Sequence, residues 1–278
     1  MINIGVNPVA FSLGFIEIRW YGIMVVLAVI AIIAISILEA RRMKISDEHV
    51  LGLAAWAIVS GMIMSRVLHI IDHWDYYMAN PAQIVGFEGV AIYGAVVGVI
   101  LAIIVYCQVK KLSIWQIGDM VSPGALVGMA IGRVGCVLNG CCYGLVTDSF
   151  CSVVYTASNT YGPVGIAVYP TQFFHIVWNL AAFALVWLLR SRLKPQGSIF
   201  LIYLALYAAG DLIVRTFRQG TPFLFGLQEA QLIGIIVLLV TVPWLTIRIV
   251  KYHRSDKKTQ SSDGPTNGEA PSSDSPTS

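Results

Sequence analysis

A chain of 278 residues with 57% hydrophobic and 12% charged side chains, and a mean hydropathy of +0.75, is too apolar for a water-soluble domain, which runs near half apolar and a quarter charged. The formal net charge of +3 is small and spread between the apolar runs, which excludes a nucleic-acid binder. What remains is a polytopic membrane protein, and the expected fold class is all-α with about seven transmembrane helices.

Residues 1–15 carry no basic segment ahead of the first apolar residues, so no cleaved secretory signal is predicted and the first apolar run stays as an anchor. Apolar runs of roughly the 17–25 residues that cross a bilayer are then taken in order. The first covers 20–38 and is followed by Arg41, Arg42 and Lys44. The second, 50–68, contains Arg66, and the third, 89–109, ends at Lys110 and Lys111. The fourth, 114–132, has Asp119 near its start and Arg133 at its end. The fifth, 172–189, runs into Arg190, Arg192 and Lys194. The sixth, 198–210, is continued by Asp211, Arg215 and Arg218. The seventh, 230–247, is followed by Arg248, Lys251, Arg254, Lys257 and Lys258. Residues 1–254 are thus predicted to form one transmembrane domain. Residues 255–278, rich in Ser, Pro, Thr, Gly and Asp, are too polar to fold and are expected to be a disordered cytoplasmic tail.

The basic ends of the first, third, fifth and seventh runs hold 13 of the 18 Lys and Arg. Cytoplasmic ends carry the excess of Lys and Arg, so the N-terminus is expected outside and the C-terminus inside. The other five cations are Arg19, Arg66, Arg133, Arg215 and Arg218, and with Glu17, Glu88 and Asp211 they gather toward the outer leaflet. Two readings fit: a polar cavity opening there, or side chains snorkelling to the interface. Between the second and third runs, Trp74, Tyr76 and Tyr77 suit an interfacial aromatic belt. The longest outer segment, 141–170, is read as a connection without structure of its own, and such connections are usually functional.

The chain is organised around Gly132 to Gly144, which joins Arg133, Asn139, three cysteines and four glycines. An ionisable group in a membrane segment is a functional-site hypothesis, and a guanidinium fork suits phosphate oxygens. Arg215 can supply a second contact, or pair with Asp211 one turn earlier on the same helix. Cys136, Cys141, Cys142 and Cys151 leave three readings open: disulfides bracing the outer loop, a zinc site that lacks a nearby histidine, or a redox pair. Cys107 reads as core. Tyr21, Tyr93 and Tyr207 lie at one level and are either interfacial anchors or hydrogen-bond donors lining the cavity. His175 reads as a satisfied packing residue.

These residues resemble the prolipoprotein diacylglyceryl transferases of bacterial inner membranes, collinearly from about residue 18 to 244. Ile18-Arg19-Trp20-Tyr21-Gly22 is similar to the family's opening motif, and Gly89-Val90-Ala91-Ile92-Tyr93-Gly94-Ala95 to its third-helix motif. Gly132-Arg133-Val134-Gly135 through Asn139-Gly140 to Gly144 resembles the signature. Tyr169-Pro170-Thr171-Gln172 resembles a His-Pro-Ser/Thr-Gln motif, and Phe217-Arg218-Gln219 and Gln231 resemble motifs near the last two helices. The resemblance implies transfer of the diacylglyceryl group of phosphatidylglycerol to the lipobox cysteine of a prolipoprotein, forming a thioether and releasing glycerol 1-phosphate. It implies no cofactor and no metal, and an active site toward the outer leaflet. Its partners are phosphatidylglycerol, lipobox signal peptides and membrane lipids.

By that resemblance, Arg133 is the phosphate-binding arginine, Tyr21 and Tyr207 are site tyrosines, and Asn139 and Gly144 belong to the signature. Tyr21, Tyr93, Arg133, Asn139, Tyr207 and Arg215 are the catalytic candidates. Arg133, Gly144, Gln172, Arg215 and Arg218 are the candidates for holding phosphatidylglycerol. The chain departs from the family in having Cys136 where Asn is usual, Cys141 where Glu is usual, and Asp211 then Arg215 where Arg then Glu are usual. Arg215 is therefore expected to replace the displaced cation. Tyr93 stands where many members have His, and a phenol with a pKa of roughly 10 is a poor base, so Tyr93 is expected to orient substrate. Lipid binding without transfer, and a thiol oxidoreductase using Cys136 with Cys141 or Cys142, are the alternative functions.

Overall fold

The computed structural model describes residues 1–14, 16–85, 91–218, 220, 223–224 and 226–262. Glu88, Gly89, Val90 and Gln219, and the tail beyond Ser262, lie outside the described residues.

Among the described residues seven helices are long and apolar enough to cross a bilayer, which makes the chain a multi-pass membrane protein. They are α1 (Trp20–Arg42), α2 (Asp47–Asp72), α4 (Ile92–Lys110), α5 (Ile114–Asn139), α6 (Thr171–Leu189), α7 (Ser198–Arg215) and α8 (Glu229–Ser262). A short α3 (Trp74–Ala79) and a 3-10 turn (Pro81–Val85) lie between α2 and α4. Local chemistry sets the boundaries. Ser46 Oγ accepts from the Glu48 amide at the start of α2, beside Asp47 and Glu48 in the positive first turn. Helix α7 lacks a capping side chain of its own and borrows one. The buried Asp119 of α5 accepts from the Gly197 amide at 2.5 Å and the Phe200 amide at 2.8 Å.

Helices α5, α7 and α8 are among those that overrun the predicted limits. Helix α5 continues through Arg133 to Asn139, so Arg133 lies inside the helix, well short of its end. Helix α7 takes in Asp211 and Arg215. Helix α8 carries helical backbone to Ser262. In each case polar residues end the hydropathy signal before they end the backbone hydrogen bonding.

The all-α expectation needs correction at one end of the bundle. Strand β1 (Ile2–Ile4) runs parallel to β4 (Val153–Tyr155), which pairs antiparallel with β5 (Ala167–Val168). Strands β2 (Val9–Leu13) and β3 (Ile16–Arg19) form a hairpin leading into α1. The long outer segment therefore has structure of its own. Ile4, Val153, Tyr155 and Val168 bury a small core against Val137 of α5, with Phe173 and Ile176 of α6 beside it. Strands of two to five residues leave too short an alternation to read in sequence.

Helix α5 is the most buried helix and packs on α1, α6 and α7. Helices α2 and α4 form a second pair in which backbones nearly touch. A Cβ at Gly94 would run into the Met64 carbonyl, and one at Gly98 into the Ser60 carbonyl. Small residues four apart allow this approach without lipid between the helices. At the basic end, Arg190 of α6 donates to buried Glu39 of α1 at 2.6 Å, and Arg42 donates to the same carboxylate at 2.8 Å.

Candidate functional site

The opposite end of the bundle gathers the starts of α1, α4, α6 and α8 and the ends of α5 and α7. Arg133 projects from the last two turns of α5 and is half-buried. Among the described residues its guanidinium makes no hydrogen bond or ion pair. Its charge is felt at Tyr21, Cys142, His175 and Tyr207, which places residues from four separate segments around one cation. The Tyr21 ring lies against Gly135, whose added Cβ would stand 3.3 Å from Tyr21 Cδ2.

Gly140, at a φ of 72°, ends α5 in the left-handed conformation. The Gly140 amide donates to the Val137 carbonyl and the Cys141 amide to the Cys136 carbonyl at 3.1 Å, the wrap-back of a glycine C-cap. Cys141 is thereby folded over Cys136. Cys142 follows with a φ of 63°, unusual for a residue with a Cβ. The three sulfurs lie within 4.8 Å of one another. The thiols of Cys136 and Cys141, then the Arg218 and Arg133 charges, favour the Cys142 thiolate and hold that thiol below the ordinary range.

Asn139 is buried, its side chain lies beside the Cys141 sulfur, and its Oδ1 has no partner. Gln172 is buried at the start of α6; its Nε2 donates to the Cys141 carbonyl at 2.7 Å and to the Tyr155 hydroxyl at 3.0 Å. Burial pushes the Tyr155 phenol up to about 12. Thr171 Oγ1 donates to the Cys142 carbonyl at 2.7 Å, and the Gly144 amide donates to the Tyr169 carbonyl at 2.9 Å. The Gly132–Gly144 and Tyr169–Gln172 stretches are thus bonded to each other. Gly144 has no room for a side chain, since a Cβ would stand 2.6 Å from Tyr169 Cβ and 2.9 Å from Thr171 Cγ2. Gly144 and Gln172 position the site's backbone.

Arg215 is tied down: its Nε donates to Asp211 Oδ2 at 2.5 Å and its Nη1 to Gln228 Oε1 at 3.4 Å. Its charge reaches Tyr207 and His175. Arg218, just past α7, reaches both Cys142 and His175. Tyr207 stacks on Tyr203 with ring centroids 6.5 Å apart, and Tyr93 on α4 lies within electrostatic reach of Tyr207. Arg66 stands apart; its Nη2 donates to the Gln83 carbonyl at 2.6 Å and its guanidinium covers the Tyr77 ring.

His175 is the functional candidate that sequence reasoning set aside. It is buried, its Nε2 lies 3.8 Å from Asp211 Oδ1, and neither atom has a hydrogen-bond partner. The charges of Arg133, Arg215 and Arg218 all reach it. The available signal was the spacing Thr171, His175, Asn179, Ala182 and Val186, the buried stripe of α6. That stripe puts His175 on the face turned to α5 and α7.

All five cysteines are free, so the bracing disulfides expected for the outer loop are absent and strands β1, β4 and β5 brace it instead. Cys107 is buried in the α2–α4–α5 core, as expected, and Cys151 is exposed. The Cys136, Cys141 and Cys142 trio is the one group of three or more His, Cys, Asp or Glu among the described residues with metal-binding spacing. Among the described residues the site offers a guanidinium without a hydrogen bond or ion pair, a second cation, and an imidazole 3.8 Å from a carboxylate. Together they suit an anionic headgroup beside a proton-transfer step.

The family model described as prolipoprotein diacylglyceryl transferase matches residues 8–247. A phosphatidylglycerol–prolipoprotein diacylglyceryl transferase of Dehalococcoides mccartyi is 41% identical over 260 residues, covering 93% of this chain and all of that protein. One of Listeria welshimeri is 28% identical over 261 residues, covering 90% of this chain and 94% of its own. Neither lipid binding without transfer nor thiol oxidation is named for these relatives.

Proposed function

Since the chain belongs to the prolipoprotein diacylglyceryl transferase family, we propose that its transfer reaction takes place in the polar pocket around Arg133. The chain is a transferase that moves the diacylglyceryl group from phosphatidylglycerol to a prolipoprotein. The observation that carries the location is Arg133 itself, a guanidinium with no hydrogen bond or ion pair among the described residues, whose charge reaches Tyr21, Cys142, His175 and Tyr207. A cation at that depth is costly in lipid unless something anionic meets it.

The acceptor is the lipobox cysteine of a signal peptide, and its thiolate is the nucleophile. It attacks the glyceryl carbon that carries the phosphate. The sulfur–carbon bond forms as the carbon–oxygen bond breaks, and glycerol 1-phosphate leaves with that electron pair. Arg133 holds the phosphate oxygens bidentately and stabilises the charge that grows on them, with Arg218 as the second cation. Arg215 is engaged by Asp211, so its contribution is to fix that carboxylate. His175 Nε2 takes the thiol proton and returns it to the leaving phosphate, while Asp211 steadies the imidazolium. Tyr93 of α4 and Tyr207 of α7 donate to the lipid's ester and headgroup oxygens. The basic ends of α1, α4, α6 and α8 face the cytoplasm, which puts this pocket in the outer leaflet of the bacterial inner membrane.

The test is a lipidation assay on purified protein with phosphatidylglycerol and a lipobox peptide. The peptide gains the mass of one diacylglyceryl group with the wild type and none with Arg133→Ala. Undiminished lipidation by a folded Arg133→Ala protein would move the site elsewhere.

A further inference from the structure

We propose that Cys136, Cys141 and Cys142, with the side-chain oxygen of Asn139, form a binding site for a thiophilic divalent ion of the zinc type. Transfer chemistry as described above uses none of these sulfurs. Their grouping is built by the backbone. The glycine cap at Gly140 returns Cys141 to Cys136, and the left-handed Cys142 turns the next sulfur to the same side. Hydrogen bonds from Gln172 and Thr171 to the carbonyls of Cys141 and Cys142 hold the turn in place.

Geometry and charge both fit. Tetrahedral zinc with zinc–sulfur distances of about 2.3 Å sets sulfurs about 3.8 Å apart. The observed limit of 4.8 Å therefore closes onto an ion with movements of about an ångström. A disulfide would engage two sulfurs and strand the third, whereas a metal uses all three. The fourth position falls to Asn139, whose amide nitrogen donates to the Cys141 sulfur and whose Oδ1, buried without a partner, reaches the ion when the amide flips about its last side-chain torsion. Three thiolates on a divalent ion leave one negative charge, and the guanidiniums of Arg133 and Arg218 both reach Cys142. Two cations facing one negative charge leave a positive charge for a headgroup. The ion would act as a staple, locking the end of α5 to the turn that Gln172 and Thr171 secure.

The experiment uses the reduced full-length chain in detergent, titrated first with Co2+ and then with Zn2+. One equivalent of Co2+ should produce thiolate-to-metal charge-transfer absorption that Zn2+ abolishes. Zn2+ should also slow alkylation of Cys142 at least about tenfold and raise the unfolding temperature. Cys141→Ser should lose the band, while Cys107→Ser and Cys151→Ser keep it. The wild-type titration requires no variant to fold and does not depend on lipidation. Absence of the band in folded wild type would overturn the proposal. So would its persistence in Cys136→Ser, or a disulfide between two of the three sulfurs in protein taken from native membranes.

Discussion

At the scale of single residues, the two arginines singled out by the sequence turn out to differ in kind. Among the described residues Arg133 makes no hydrogen bond or ion pair, so its loss should touch activity far more than stability. Arg133→Ala is expected to lower transfer by at least about 10²–10³-fold, the effect of removing one charge-stabilising donor, with the thermal unfolding midpoint in detergent unchanged. Arg215 is the opposite case. It neutralises Asp211, which is 6% exposed, and Arg215→Gln strands that carboxylate. Breaking a buried pair in this way costs about 3–5 kcal/mol, discounted here because Arg215 keeps 21% side-chain exposure. The double variant Asp211→Asn, Arg215→Gln should recover most of the loss in stability without recovering activity. His175→Asn should lower kcat at saturating peptide more than it raises the peptide KM. An unchanged kcat would remove His175 from the proton transfer.

At the scale of elements, the bundle relies on two devices for keeping helices together where hydrophobicity cannot. One is backbone approach at small residues. Gly98→Leu would drive a side chain into the Ser60 carbonyl and should separate α2 from α4, seen as a lower unfolding temperature with Tyr93 displaced and transfer reduced. The other is polar bonding between helices. Glu39, 1% exposed, accepts from both Arg42 and Arg190. Glu39→Ala leaves Arg190 without its carboxylate and should cost about 3 kcal/mol while leaving the distant site's peptide KM untouched. Both devices follow from a solvent that does not reward apolar contact between helices.

At the scale of the whole molecule, the two ends of the bundle carry different chemistry. One end holds the basic residues that follow α1, α4, α6 and α8; the other holds the sheet, Cys136, Cys141, Cys142, Cys151 and Arg133. The expected orientation puts Cys151 outside the cell and Cys107 at the buried inner end of α4. A membrane-impermeant maleimide added to intact spheroplasts should therefore label Cys151 and leave Cys107 unlabelled. Labelling of Cys151 only after lysis would invert the orientation and move the site to the cytoplasmic leaflet.

The seven spans were legible in the sequence, because bilayer thickness demands a minimum length of apolar chain. Arg133 stood out in the sequence as a candidate because a fixed charge in an apolar run needs an explanation that neighbouring residues do not provide. Other features joined residues that sequence distance keeps apart. Ile2 pairs with Val153 and His175 faces Asp211, and no periodicity in either partner announces the other. Whether Arg215 meets a ligand or Asp211 was open in the sequence, because both answers use the same spacing. Tertiary structure shows the ion pair formed and its carboxylate buried, where desolvation makes the pair hard to give up.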